Sequence, residues 1–353
     1  MNLEAVSGET LCPFASGRDS HYATRTDEGG LLCHVCDLDL GPLDLEVRLS
    51  GQATATFDRA LDLLEFLELK LPARSWLVDG LLQERDLAMV HAFRGVGKSQ
   101  FVLCLAYAVV CGTQFLRYRI VKPRGVLYVD GEMPREDLQK RLLERVEADQ
   151  GEPLAPFKIL AADLLTDPLP SLASDSGQRR VETELEGVSL IILDSISTLC
   201  RTEAGENEAE SWEAMQEWLL SLRRRGYAVL LVHHDGKTGA QRGTSKREDV
   251  LAQVVQLARP SDYHPNQGAR FEVHLRKGRG VFGEAADPFE AQLSADEHGR
   301  SVWTWQPLED VTTARVLALC RDGLTQRDIS AEVGIGLGSV HRRIQKLRDN
   351  GEI

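Results

Sequence analysis

No apolar run in this 353-residue chain is long enough to cross a bilayer: the longest, Phe101 to Cys111, falls well short of the roughly 20 residues a spanning helix needs. The opening residues, Met-Asn-Leu-Glu-Ala-Val, lack the basic and apolar regions of a secretory signal, so the expectation is a soluble, cytoplasmic protein. Positive charge is not in excess either, since 41 Lys and Arg face 54 Asp and Glu and leave a formal charge of −13. That balance argues against a surface coated for nucleic acid but leaves room for a local basic patch. The seven cysteines are odd in number and scattered, which excludes a disulfide framework. Internal repeats and extended low-complexity tracts are missing. No Asn-Lys-x-Asp element follows Asp194, which disfavours a GTPase.

One short stretch that is present constrains function more tightly than any other. Ala92, Phe93, Arg94, Gly95, Val96, Gly97, Lys98 and Ser99 read A-F-R-G-V-G-K-S, the pattern of a phosphate-binding loop, with Ala92 where Gly is more common. It lies between Leu87 to His91, which suits a buried strand, and Gln100 to Cys111, which suits a buried helix ended by Gly112. In such a loop small residues let backbone N–H groups curl round phosphates at a helix N-terminus, while the lysine reaches the terminal phosphates and the hydroxyl binds Mg²⁺. The pattern predicts a nucleoside triphosphatase, with Lys98 and Ser99 in those roles.

The length allows one large α/β domain and one or two small modules. Residues 1–50 bear cysteines and show no long helical period, as in a small module; 51–75 read as a linker with a helix from Phe57 to Leu69. From 76 to 307 strands and helices alternate, which predicts a mostly parallel sheet covered by helices. The expected strands are Leu87 to His91, Gly125 to Asp130, Phe157 to Leu160, Val188 to Asp194 and Tyr227 to His233. Gln253 to Ala258, Arg270 to Arg276 and Phe289 to Leu293 read as antiparallel edge strands, and Ala161 to Gly177 as a surface loop. A third module spans 310–353.

Two strand ends carry carboxylates. Leu190 to Asp194 (L-I-I-L-D) is a buried strand ending in Asp194, suited to a Mg²⁺ contact; a strand-end Asp that caps the next turn is the alternative. Val126 to Val129 leads into Asp130-Gly131-Glu132-Met133-Pro134. Hydrolysis needs a carboxylate near the terminal phosphate to orient and deprotonate water, and Glu132 is the choice. The alternative is that Asp130 and Glu132 only cap a helix that starts at Pro134.

The ordered set A-F-R-G-V-G-K-S, G-V-L-Y-V-D-G-E-M-P, S-L-I-I-L-D-S-I-S-T-L, G-E-N-E and V-L-L-V-H-H-D-G-K resembles the RecA-fold ATPases of the plasmid RepA helicase type, relatives of the replicative DnaB helicases, over about Trp76 to Leu293. The resemblance implies a RecA-like α/β core, ATP with Mg²⁺, Glu132 as catalytic base, Asp194 as the Mg²⁺-side carboxylate, and assembly into a homo-oligomeric ring, a hexamer. It implies that His234 senses the γ-phosphate and relays it to a DNA-facing loop, although a histidine at a strand end also suits a structural role. In such rings a Lys-x-Arg placed like Lys277 and Arg279 projects into the neighbour's ATP site, where cations stabilise the transferring phosphoryl group. Arg279 is the first choice of arginine finger. Arg242 is the alternative, because its Arg-Gly-Thr-Ser context also resembles the RepA pattern; a surface cation is the third reading. The stretch Asp235 to Asp249, with Lys237, Arg242, Lys246 and Arg247, occupies the position that faces single-stranded DNA in RecA-like folds. Lacking aromatic residues, it would bind by charge alone, or else be a solvated loop. Arg201 to Glu210 is acidic and a poor DNA contact.

At the N-terminal end, Cys12 and the Cys33-His34-Val35-Cys36 knuckle resemble the zinc ribbons of bacterial primases, with Ala15 where a ligand His would stand. His21 is the expected fourth zinc ligand, ahead of His34; a ribbon that folds without metal is the alternative. At the other end three helical patterns resemble a winged-helix type of helix-turn-helix. Thr325 would cap the second helix, Gly334 would end it, and Gly338-Ser339 would begin the recognition helix. Val340, Ile344 and Leu347 share one face, leaving Ser339, His341, Arg342, Arg343 and Lys346 for phosphates or base edges. A protein-docking three-helix module is the alternative, and almost no wing follows. The expected whole is an ATP-driven DNA helicase of a mobile element, with single-stranded DNA in the ring and duplex at the helix-turn-helix. The rivals are a DNA-bound regulatory ATPase that does not translocate and an adaptor whose ATP site only sets assembly.

Overall fold

A computed structural model describes residues 9–11, 22–25, 31–33, 38–40, 59–149, 151–201, 208–235 and 248–353. The chain divides into two units, Met1–Arg74 and Ser75–Ile353. In the first, β1 (Glu9–Leu11), β2 (Tyr22–Arg25), β3 (Leu31–Cys33) and β4 (Leu38–Leu40) form an antiparallel meander. Its helix α1 covers only Leu63–Glu68, shorter than the apolar pattern from Phe57 to Leu69 predicts; residues 57 and 58 lie outside the described residues. The reason is a capping box, in which the Asp62 carboxylate accepts the Glu65 N–H at 2.9 Å and Glu65 accepts the Asp62 N–H at 3.1 Å. A cap of this kind starts a helix wherever it falls, whatever the apolar spacing upstream.

The second unit opens on a small hairpin, β5 (Trp76–Val78) and β6 (Leu82–Gln83), followed by β7 (Leu87–Ala92) and α2 (Lys98–Cys111). A second hairpin, β8 (Gln114–Phe115) and β9 (Tyr118–Arg119), leads to β10 (Val126–Asp130), α3 (Arg135–Asp149), β11 (Phe157–Ala161) and α4 (Asp175–Glu182). Then come β12 (Leu190–Asp194), α5 (Ile196–Leu199), α6 (Glu208–Arg224), β13 (Ala228–His234), β14 (Gln253–Ala258), β15 (Arg270–Gly278), β16 (Phe289–Ala295) and β17 (Ser301–Pro307). Nine strands make one sheet in the order β11-β10-β12-β13-β7-β14-β15-β16-β17. Pairing is parallel from β11 through β14 and antiparallel from there to β17.

Strands β7, β10 and β12 are buried along their whole length, as expected of parallel strands covered on both faces. Helix α2 is buried all round and ends at Gly112, whose φ of 69° lies in the left-handed region. A side chain there would also meet Pro123 at 2.7 Å. Edge-to-face rings tie α2 to the antiparallel strands, with Phe101 at 5.1 Å from Phe115 and 6.0 Å from Phe271 between ring centroids.

Three expectations need correction. β14 is an interior strand, parallel to β7 and antiparallel only to β15, because the order of the chain brings it back beside the phosphate-loop strand. β15 and β16 are antiparallel as expected but also interior, and the edge on that side is β17, S-V-W-T-W-Q-P, partly exposed along its length and therefore without a clean apolar alternation. The supposed surface loop from Ala161 to Gly177 contains a short 3₁₀ turn at Ala162–Leu164 and starts α4 at Asp175, with Leu169 and Leu172 buried beneath it. Polar composition concealed those two anchors.

The chain ends in three helices, α7 (Leu308–Arg321), α8 (Gln326–Val333) and α9 (Leu337–Asp349), around a core of Val316, Ile329, Val340, Ile344 and Leu347. Thr325 caps α8 in a box with Asp328, and Gly334 ends it at φ 72°. Helix α7 begins at Leu308 and α9 at Leu337, each slightly before its expected start.

Two glycines separate packing from propensity. A Cβ on Gly125 would lie 1.9 Å from the Gly187 carbonyl oxygen, whereas one on Gly338, in helix α9, meets nothing within 4 Å. Thermal unfolding of Gly125→Ala is expected far below the parent, or the variant fails to fold. Gly338→Ala should gain about 0.5–1 kcal/mol from helix propensity and melt at or above the parent.

Candidate functional site

Parallel strands that share one sheet deliver their C-terminal ends to a single edge, and ligands of open α/β sheets sit there. In this sheet β10, β12, β13 and β7 are adjacent, with Asp130 opposite Asp194 and His234 opposite Ala92 in register. The loop after β7 and the carboxylates after β10 and β12 therefore face one another. Between them lies a cavity of about 660 Å³ lined by Arg94, Gly95, Gly131, Glu132, Thr198 and His234.

The loop turns on Gly95 and Gly97, at φ 75° and 118°. Gly97 has a second reason to be glycine: a Cβ would lie 3.2 Å from the Phe271 ring and 3.3 Å from the Ala269 methyl. Lys98 opens α2 and is 4% exposed. Its ammonium donates to the carbonyls of Ala92 at 3.0 Å and Phe93 at 3.1 Å, closing the loop on itself. Burial lowers the Lys98 pKa, opposed by the charges of Asp194, Asp235 and Glu132.

Asp194 is buried at the end of β12, where the Tyr128 hydroxyl donates to its Oδ2 at 2.6 Å and the Ser99 hydroxyl also bonds to it. Burial raises its carboxyl pKa against those two bonds. Ser99 and Asp194 thus present hard oxygen donors side by side, the donor type Mg²⁺ takes. Two residues on from β10, Glu132 accepts the Ser195 hydroxyl at 2.9 Å on Oε1, and His234 Nε2 lies 3.2 Å from the same oxygen. The His234 bond is the main cause that holds the Glu132 pKa below the usual carboxylate range, with Ser195 and the Lys98 charge adding to it. Its neighbour does the capping: Asp130 Oδ1 accepts the N–H groups of Glu132 at 3.0 Å and Met133 at 2.7 Å. Burial pushes Asp130 up to about 6. So the two carboxylates divide the roles that the sequence left open, with Asp130 in the turn and Glu132 at the cavity.

Lys277 and Arg279 lie at the end of β15 and do not line the cavity of their own chain. Lys277 Nζ donates to the Glu248 carbonyl at 2.5 Å, and Arg279 donates to that of Asp249 at 3.2 Å. Lys237, Arg242, Lys246 and Arg247 lie outside the described residues, as do Cys12, His21 and Cys36, while Cys33 ends β3. On α9, Ser339, Arg342, Arg343 and Lys346 fall on one side by helical spacing; Arg342 and Lys346 are exposed, while Ser339 and Arg343 are half-buried beside the stripe of Val340, Ile344 and Leu347. His341 is exposed but projects from the other flank of that stripe.

Sequence reasoning missed Tyr128, Ser195 and a buried pair, His91 Nδ1 to Asp235 Oδ1 at 2.7 Å, under the loop. Each adjoins a residue that was identified; only the strand register shows that they meet.

Because its folded pKa is depressed, the Glu132 pairing stabilises the fold at neutral pH and is lost as pH falls through that value. Carbon-13 titration should find Glu132 below the ordinary carboxylate midpoint in the parent and nearer to it in His234→Ala. An unmoved midpoint contradicts the pairing.

Residues 54–240 match the model of a family described as an AAA domain, a span of more than half the chain. Residues 316–353 match a family described as winged helix-turn-helix DNA-binding. Among solved structures the chain is similar to a KaiC-like protein of the hyperthermophilic archaeon Pyrococcus horikoshii OT3, at 15% identity and a TM-score of 0.46 over 65% of this chain and 94% of that one. No curated protein matches the chain in sequence. By the match that covers its loop, its two carboxylate strands and His234, the chain belongs to the AAA domain family.

Proposed function

We propose that this chain is an ATPase with a RecA-like core that couples ATP hydrolysis to DNA, as a motor of the RepA and DnaB helicase type. The observation that carries the ATPase reading is Glu132 facing the cavity beside the phosphate loop, ionised and held by Ser195 and His234 while Asp130 takes over the capping. In this reading the β- and γ-phosphates take the N–H groups at the start of α2, and Lys98 leaves the Ala92 and Phe93 carbonyls for the phosphate oxygens. Ser99 and Asp194 would hold Mg²⁺, which neutralises charge on the phosphates when bound. Tyr128 keeps Asp194 oriented. Glu132 accepts a proton from the attacking water as its oxygen bonds to the γ-phosphorus and the bond to the departing diphosphate breaks. His234, bonded to Glu132 at the end of β13, would report that event to the segment that follows it in the chain, which carries Lys237, Arg242, Lys246 and Arg247.

In a head-to-tail ring, Arg279 with Lys277 would complete the neighbour's site. Both now sit on carbonyls at the base of the DNA-facing segment, which supports a link between finger and DNA. Single-stranded DNA would thread the ring, and the α9 face of Ser339, Arg342, Arg343 and Lys346 would meet duplex. The N-terminal module would hold zinc on Cys12, Cys33, Cys36 and His21. One observation favours the second reading, a regulatory ATPase that does not translocate: α7 is fixed to the sheet by ion pairs of Arg315.

Glu132→Gln should cut the ATPase turnover by about 100-fold or more while leaving binding of an ATP analogue intact; unchanged turnover removes Glu132 from the reaction. Mixing Arg279→Ala with Lys98→Ala should restore activity that neither has alone, and no rescue at any ratio contradicts a finger in trans. Single-stranded DNA should stimulate turnover and forked DNA should be unwound; failure of both leaves the regulatory reading.

A further inference from the structure

Four charged side chains, none of them in the nucleotide site, meet where the C-terminal module joins the sheet. Arg270 on β15 and Glu290 on β16 are both buried and share two hydrogen bonds, Nε to Oε1 at 3.1 Å and Nη2 to Oε2 at 2.9 Å. Arg315 on α7 donates to Asp262 and lies 3.6 Å from Glu290, and Arg270 reaches Asp262 at 3.2 Å. A buried ion pair adds little stability over an apolar one, but removing one partner strands the other. The cluster therefore holds α7 in one orientation on the sheet.

Asp262 belongs to the turn between β14 and β15, and the start of that turn touches the phosphate loop. Arg259 donates from Nη2 to the Gly95 carbonyl at 2.9 Å, and its guanidinium stacks on Tyr263 at 4.5 Å from the ring centroid. The Tyr263 hydroxyl donates to the Gly268 carbonyl at 3.0 Å, which closes the turn on itself. Where the turn re-enters the sheet, Ala269 and Phe271 fill the space beside Gly97. One segment of chain thus contacts both glycines of the phosphate loop and the first helix of the DNA-binding module.

We infer that Arg259 is a positioning residue of the phosphate loop, and that the turn 259–262 carries the loop's nucleotide state to the C-terminal module, so that ATP occupancy sets the module's affinity for duplex DNA. The inference rests on the ATPase reading above. Its two states differ at defined bonds. Without phosphate, Lys98 closes the loop on the Ala92 and Phe93 carbonyls, and Arg259 holds Gly95. With phosphate, Lys98 lets go, the peptide at Gly95 moves, and the Arg259 guanidinium, stacked on Tyr263, takes Asp262 and Arg315 with it. A ligand shifts an equilibrium only by its differential affinity for the two states, and the effect is reciprocal. Duplex bound at α9 then changes ATP affinity by the same factor.

The test is the dissociation constant of a labelled DNA duplex for the full chain, measured by fluorescence anisotropy without nucleotide and with saturating Mg²⁺ and an ATP analogue. The two constants should differ by about 5-fold or more in the parent. In Asp262→Asn the nucleotide-free constant should stay at the parent value while the ratio falls to near one. Arg259→Gln should lose the ratio too, and the double variant should lose no more than either single, since both interrupt one connection. Equal constants in a parent that binds the analogue overturn the inference and leave the ATPase reading standing, as does a ratio that survives both substitutions. A parent that binds no analogue fails the ATPase reading itself.

Discussion

An ammonium group with almost no contact with water has to be surrounded by oxygen, and the nucleotide site is organised around that requirement at Lys98. Its partners are two carbonyls of its own loop and the charges of Asp194, Asp235 and Glu132. Each carboxylate is in turn held, Asp194 by Tyr128 and Ser99, Asp235 by His91, and Glu132 by Ser195 and His234. A low-dielectric site makes such bonds strong and an unpaired member costly. The arrangement is stable without phosphate because the loop's own carbonyls stand in for phosphate oxygens, and this prepares the lysine to exchange one set of oxygens for another.

The sheet supplies the geometry for that network. Four adjacent parallel strands end at the same edge, so residues more than a hundred positions apart in the chain come within hydrogen-bond distance, as His234 and Glu132 do. Flat register does the placing; no side chain has to search. The antiparallel strands beyond β14 add the turn that touches the loop at Gly95 and the ring of Phe271 that excludes any side chain at Gly97. They also carry the ion cluster on which the C-terminal helices are mounted.

Much of this was legible in the residue pattern. The phosphate loop, its strand and its helix, the four other parallel strands and the caps at Thr325 and Gly334 follow from local rules: buried runs make strands, small residues make the loop, and a hydroxyl followed three residues on by a carboxylate starts a helix. What escaped depends on distant partners. The direction of β14 is set by which strand it lies beside, the edge strand β17 is too exposed to alternate, and α1 starts where Asp62 caps it. Glu132 and Asp194 were recognisable by place in their motifs, but Tyr128, Ser195 and Arg259 are ordinary residues until the register brings them to the site.

The exchange of oxygens at Lys98 is the central claim, and calorimetric titration tests it most directly. An ATP analogue with Mg²⁺ should bind the parent, and Lys98→Met should lose that binding while keeping the parent's folded circular-dichroism spectrum, because the buried Ala92 carbonyl keeps its bond from the Asp235 N–H at 2.9 Å and Phe93 is exposed. Equal affinity in the two proteins would contradict the account, since the phosphates would then be held without the one buried cation the loop is built to release.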